Sequence, residues 1–322
     1  MTNNTRQKIL ICGATGFLGR NILESFINND NYHIRAVWHN NPTLIEKYSD
    51  RVEWVNADLT NIEDVKRVVK DVDIILQYAA VTTGIKDVVS RPHIHVTDNA
   101  VMNSLLLREA FEQKIKHFIF PSCTVMYQSS DQPVKETDFD ESIGLYPKYY
   151  GGGNTKVYLE KMCKFYSTIG KTKFTVLRQS NIYGPYDKFN LETGHVLAAT
   201  VVKVNQSNES IDVWGTGEEE RDLLYVSDLV ECIHSVIENQ KSQFELINVG
   251  CGKSISVSNL VKKMLDISGK KLHINYDENK PTVKTKLAVD ITRAKKTFNW
   301  NPKISLDMGI KNVLEWYKEN NK

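Results

Sequence analysis

The 322-residue sequence lacks a Cys-x-x-Cys pair and any cysteine and histidine cluster at metal-ligand spacing, so no structural zinc site, dithiol motif or other metal site is expected. Its five cysteines, Cys12, Cys123, Cys163, Cys232 and Cys251, are odd in number and widely spaced. That pattern fits reduced thiols in a cytoplasmic protein, not a disulfide scaffold. No apolar run approaches the ~20 residues that a membrane span needs. Met1 to Gln7 is short and polar, without the apolar stretch of a signal peptide. An excess of one charge is missing too. The formal net charge is +2, which builds no overall field for nucleic acid or membrane, so anionic ligands must be met by local groups. Internal repeats and low-complexity tracts are also absent.

What is present is a hydrophobic fraction of 41%, ample for a large core, arranged as alternating strands and helices. Lys8 to Cys12 is an apolar run that meets Gly13, after which Phe17, Leu18, Ile22, Leu23, Phe26 and Ile27 repeat at helical spacing. Strands are predicted at His33 to Trp38, Val52 to Val55, Ile74 to Tyr78, His117 to Pro121 and Thr175 to Arg178. Helices are predicted at Ile62 to Val69, about Asp98 to Glu112, and after Asn154. Such alternation builds a doubly wound parallel sheet, the Rossmann fold, with helices on both faces. Beyond Pro185 the texture changes to longer loops, a short strand at Ile211 to Trp214, and helices near Ser227 to Glu238 and Val257 to Ile267. We therefore expect a dinucleotide-binding domain over residues 1–180 and a smaller C-terminal α/β substrate-binding lobe over 181–322, with the chain returning to the first domain near 222–237.

Gly13-Ala14-Thr15-Gly16-Phe17-Leu18-Gly19 follows a strand and opens a helix. Its glycines permit a tight turn, close approach of backbone to a pyrophosphate and close packing of helix on strand, while the helix N-terminus offers N–H donors. The candidate cofactor residues here are Gly13, Thr15, Gly16, Phe17, Leu18 and Gly19. The second strand ends Val37-Trp38-His39-Asn40, without the acid that would take the adenosine ribose hydroxyls and repel a 2′-phosphate. Arg35 and His39 favour that phosphate, so NADP(H) is expected ahead of NAD(H), which stays the alternative. Asp58-Leu59, after the third strand, presents a carboxylate either to the adenine amino group or as a cap on the following helix.

With Gly13 to Gly19, Asp58-Leu59, Tyr78-Ala79-Ala80, Asn99, Ser122 to Tyr127, Lys156 and Arg178 to Pro185 in this order, the chain resembles the extended short-chain dehydrogenase/reductases. Trp214 to Gly217 and Arg221 to Asp228 narrow the likeness to the nucleotide-sugar epimerase, dehydratase and reductase branch. The resemblance implies that Tyr78, Ala79, Ala80, Asn99 and Lys156 belong to the cofactor site. It also implies that Ser122, Asn181, His195, Val196, Trp214 and Arg221 bind a nucleotide-diphosphate sugar, with Arg221 on a diphosphate oxygen, for which its planar donor fork is suited. Tyr186 to Asn190 followed by Gly194-His195-Val196 is similar to the GDP-fucose synthases, which implies a GDP-sugar. The family also implies a homodimer formed by the helices near Leu105 and Lys156.

Enzymes of this kind move a hydroxyl proton with a tyrosine four residues before a lysine, the lysine's charge holding down the phenol pKa. Lys156 fits that lysine, but position 152 is glycine. Tyr150 would serve only if Gly151 to Gly153 break the helix, because on a regular helix six residues turn the side chains about 120° apart. Tyr149 and a site without an equivalent tyrosine are the other readings. Where relatives carry a serine or threonine the chain has Cys123, with Thr124 and Ser122 as neighbours able to take over the sugar hydroxyl. Thr124 and Val125 stand where dehydratases carry an acid pair, and Val125 stands where the fucose synthases carry a cysteine. The expected activity is therefore hydride transfer at C4, as a 4-dehydrogenase or 4-ketoreductase. A 4-epimerase with retained NAD is the alternative, and a 4,6-dehydratase or a non-catalytic sensor more distant.

Overall fold

The computed structural model describes residues 6–82, 90–280, 282 and 285–321; residues 1–5 of the polar N-terminal stretch lie outside them. Seven strands form one parallel sheet: β1 (Gln7–Cys12), β2 (Tyr32–Trp38), β3 (Val52–Asn56), β4 (Ile74–Gln77), β5 (His117–Cys123), β6 (Lys173–Gln179) and β10 (Phe244–Val249). Their spatial order is β10-β6-β5-β4-β1-β2-β3, and every pairing is parallel. The order reverses at β1, which opens a crevice at the carboxyl ends of β1 and β4.

Alternation along each strand supplies two cores. Ile9 and Ile11 point to the face covered by α1 (Phe17–Phe26), α6 (Val226–Asn239) and α8 (Thr292–Phe298), joining Ile22, Leu229 and Phe298. Leu10 and Cys12 point to the other face, against α2 (Ile62–Val69), α3 (Thr97–Glu112) and α4 (Tyr150–Ile169), joining Val65, Leu106 and Leu159. A strand buried on both faces reads as a continuous apolar run, which is why β1 was legible from sequence.

The C-terminal lobe has its own core around Tyr183, Val201, Val213, Leu223, Leu260 and Val313. It is built on short strands β7 (Asn181–Tyr183), β8 (Ser210–Trp214), β9 (Glu220–Tyr225), β11 (Ser254–Ser256) and β12 (His273–Asp277), with helices α5 (Val196–Gln206), α7 (Val257–Ser268) and α9 (Leu306–Asn320). The chain returns to the large sheet through α6, then β10 at its edge, a strand the sequence reading did not single out.

Candidate active site

The crevice between β1 and β4 is lined by glycines whose absence of a side chain is enforced by contact. A Cβ on Gly13, which has φ of +70°, would lie 2.7 Å from the Ala79 backbone, and one on Gly19 would lie 2.0 Å from the Gly13 carbonyl oxygen. The first contact lets the loops after β1 and β4 meet, and the second seats α1 against its own entry turn. The N-cap of α1 is Gly16, with no side-chain cap, so the first N–H groups of the helix are left for a ligand. The result is a groove of about 500 Å³ walled by Gly13, Thr15, Gly16, His39, Asp58, Leu59, Tyr78, Ala79 and Ala80, among others. Phe17, Leu18 and Gly19 open the helix behind it. A groove shaped by two backbones in contact, ending on a helix N-terminus, fits a dinucleotide pyrophosphate.

Three cofactor expectations are revised. Arg35 does not face the groove: it is buried, its guanidinium is 2.7 Å from Glu53, and Nη1 donates to the carbonyls of Val68 and Lys70 at the end of α2. Burial alone would raise the Glu53 carboxyl, but Arg35 and Lys8 hold it down to about 2. Asn99 works behind the wall, since its amide donates to the carbonyls of Val81 and His95 and its Oδ1 accepts from Val81 N–H. Asp58 lines the groove while its Oδ1 accepts from both the hydroxyl and the N–H of Thr60, contacts that lower its pKa. The N-cap of α2 is instead Asn61, which accepts from Glu63 N–H.

Lys156 stands on α4 with Nζ donating to the carbonyl of Pro121 on β5 at 2.7 Å, so its stem crosses to the end of the strand beside β4. Burial pulls its ammonium below the usual lysine range, opposed by nearby Cys123 and Glu160. The Cys123 thiol is pushed up by burial and pulled down by Lys156. Ser122 points the other way: its hydroxyl donates to Glu160 at 2.5 Å, and Glu160 also takes a buried ion pair of 2.7 Å from Arg178. It therefore braces α4. Thr124 is buried in the turn after β5, where its carbonyl accepts from Tyr127 N–H.

The helix break that Tyr150 would require does not occur. Helix α4 runs unbroken from Tyr150 to Ile169, because its apolar face at Val157, Leu159 and Cys163 is packed against the sheet, which outweighs the glycines at its start. Gly152 thus holds the position one turn before Lys156. Tyr150 is 65% exposed and does not enter the site. Tyr149, in the turn Pro147–Tyr149 just ahead of α4, lies in the wall of a second concavity. Burial raises its phenol pKa, against the pull of Arg221.

That second concavity, a cleft of about 300 Å³, includes Val125, Tyr149, Asn181, Asp187, His195, Val196, Trp214, Glu219 and Arg221 in its wall. Arg221 is anchored through Nη1 to the Glu220 and Thr285 carbonyls and to the Thr285 hydroxyl at 2.7 Å. Asn181 donates to the Asp222 carbonyl at 3.1 Å. The structure thus brings together Asn181, His195, Val196, Trp214 and Arg221. Sequence reasoning missed Asp187 and Glu219, two buried carboxylates whose only signal was their placement beside the predicted residues.

Groove, Lys156 and cleft together define a dinucleotide-binding α/β enzyme with a second concavity in its C-terminal lobe. The chain belongs to the NAD dependent epimerase/dehydratase family, which it matches over residues 9–250. It is 26% identical to a GDP-L-fucose synthase of Azorhizobium caulinodans over 97% of this chain and 96% of that one. Among solved structures, a Thermotoga maritima UDP-glucose 4-epimerase with UDP-glucose superimposes with a TM-score of 0.87 at 24% identity, covering 98% of this chain and 100% of that one. A Bacillus cereus UDP-glucuronic acid 4-epimerase with UDP-glucuronic acid and NAD gives 0.84 at 22% identity, covering 97% and 99%.

Proposed function

We propose that the chain is an NAD(H)- or NADP(H)-dependent oxidoreductase acting at C4 of a sugar carried on a nucleoside diphosphate, as a 4-dehydrogenase or 4-ketoreductase. The observation that carries this reading is the position of Lys156. Its ammonium is bonded at the end of β5, between the dinucleotide groove at β1 and β4 and the cleft that begins beyond β6. The bound nicotinamide supplies a hydride acceptor or donor there. The protein's task is to hold the sugar and move the hydroxyl proton.

Arg221 and Asn181 are proposed to hold the diphosphate, one by charge and a planar fork and the other by its amide. Tyr149 is the phenol in the cleft wall, and Cys123 lies close enough to perturb it. We assign Tyr149 the proton role that Gly152 has no side chain to fill. The phenolate is then favoured by the positive charge of an oxidised nicotinamide, where relatives also use the lysine. Lys156 orients the cofactor ribose and places positive charge beside Cys123. With Arg35 committed to Glu53, the preference for a 2′-phosphate rests on His39 alone.

A 4-epimerase is the second reading, favoured by the fold shared with two 4-epimerases. The two differ in whether the oxidised sugar turns over before hydride returns. Mass spectrometry of nucleotide released from the purified protein, followed by turnover assays on GDP- and UDP-sugars, tests both: a tightly retained NAD with sugar interconversion means epimerase, and stoichiometric consumption of added NAD(P)(H) means dehydrogenase or reductase. Absence of any dinucleotide binding would sink the proposal. A second copy of the chain is proposed to cover Val101, Tyr158, Phe165 and Ile169, exposed on α3 and α4, which sedimentation at micromolar concentration checks.

A further inference from the structure

Glu219 is 7% exposed, lines the cleft, and its Oε2 is buried with no hydrogen-bond partner. A buried carboxylate oxygen left unsatisfied is costly, so a ligand donor is the natural completion of the site. The neighbours of Glu219 fix which part of a ligand reaches it. The cleft wall reaches from Val125 and Tyr149, which follow β5 and precede α4, to Ile211, Val213 and Trp214 of β8 in the C-terminal lobe, with Arg221 and Glu219 in the same wall. The reacting sugar carbon lies at the Lys156 end and the diphosphate at Arg221. Glu219 stands two residues before Arg221, just ahead of β9 (Glu220–Tyr225). Its other oxygen, Oε1, lies beside Gly215, where an added Cβ would approach to 3.0 Å, and Trp214 lines the same end. That end receives the base.

We propose that Glu219 selects guanine as the base of the nucleotide, a reading that rests on the nucleotide-sugar assignment above. Guanine presents two adjacent donors, N1–H and the 2-amino group, which a carboxylate accepts side by side. Uracil presents one N–H flanked by two carbonyl oxygens, which a buried carboxylate repels, and adenine presents a single amino donor beside an acceptor. The carboxylate therefore both rewards guanine and rejects uracil.

Calorimetric titration of the full chain with GDP, IDP and UDP tests this without any variant. GDP is expected to bind at least roughly tenfold tighter than UDP, a difference of about 1.4 kcal/mol, with IDP, which lacks the 2-amino group, weaker than GDP. Glu219→Gln, which offers one donor and one acceptor, is expected to erase the GDP preference or turn it toward UDP. Equal or tighter binding of UDP by the unaltered chain overturns the proposal, as does an unchanged GDP to UDP ratio in the variant. NAD binding measured in parallel separates the two levels of inference. If NAD and UDP bind and GDP does not win, only the guanine assignment falls; if the folded chain binds neither GDP nor UDP, the nucleotide-sugar assignment falls with it.

Discussion

Two glycine-rich helix starts can be set side by side, Gly13 to Gly19 ahead of α1 and Gly151 to Gly153 within α4. In the first, the glycines are compulsory: Cβ atoms at 13 and 19 would sit 2.7 Å and 2.0 Å from backbone atoms that cannot retreat. In the second, Gly152 is free, since a Cβ there would meet only the His95 Cβ at an ordinary 3.7 Å. Its flanking glycines are tighter: a Cβ on Gly151 would lie 2.9 Å from Val96 Cγ2 and 4.0 Å from the Pro92 carbonyl oxygen, and one on Gly153 would lie 2.7 Å from Leu145 Cδ1. The first cluster is thus explained by backbone sterics, whereas in the second the neighbours of Gly151 and Gly153 are mainly side chains and Gly152 itself is not explained. A glycine motif signals a ligand site only where the surrounding backbone leaves no room for anything else.

The largest effect that can break this contrast is expected from Gly19→Ala. Its methyl overlaps the Gly13 carbonyl, so dinucleotide binding is lost by calorimetry and the fold is weakened by about 3 kcal/mol, the upper range for overpacking. Normal NAD binding by that variant would deny the first cluster its role. Next comes Lys156→Met, expected to lower turnover by at least ~100-fold while circular dichroism stays unchanged, the scale at which a misplaced cofactor slows the chemistry. Equal turnover removes Lys156 from the mechanism.

The contrast sharpens with a tyrosine pair. Tyr149→Phe is expected to cost ~100-fold in kcat, whereas Tyr150→Phe stays within about twofold of the unaltered enzyme. The reverse result would mean that the α4 start rearranges when substrate binds. The smallest effect is expected from Gly152→Ala, which adds helix propensity where space exists and should raise stability in urea unfolding by about 0.5 to 1 kcal/mol. A loss of stability there would show that Gly152 is as constrained as Gly19.

The large sheet was legible because strands such as β1 and β4, buried on both faces, leave unbroken apolar runs. The glycine groove was legible because Gly13 and Gly19 answer to local geometry. Arg35 was misread because its partners, Glu53 and the carbonyls ending α2, are neighbours only in three dimensions. Ser122 was misread for a simpler reason. Adjacent residues of a strand face opposite ways, and the Ser122 hydroxyl is turned to Glu160 on α4, a partner distant in sequence. The fate of the glycines in α4 depended on packing from Val157 onward, a tertiary influence that outweighs the poor helix propensity of glycine.

The placement of β10 has a consequence for how the protein can be made. The seventh strand, residues 244–249, is synthesised long after β6, its only neighbour in the sheet, and α6 and α8, which cover one face, are also late. A polypeptide released at residue 180 would carry a bare β6 edge and an uncovered apolar face on α1, both invitations to aggregate. The nucleotide-binding half is therefore not a module that can be cut free and transplanted; it reaches solubility only when the ribosome has delivered most of the chain.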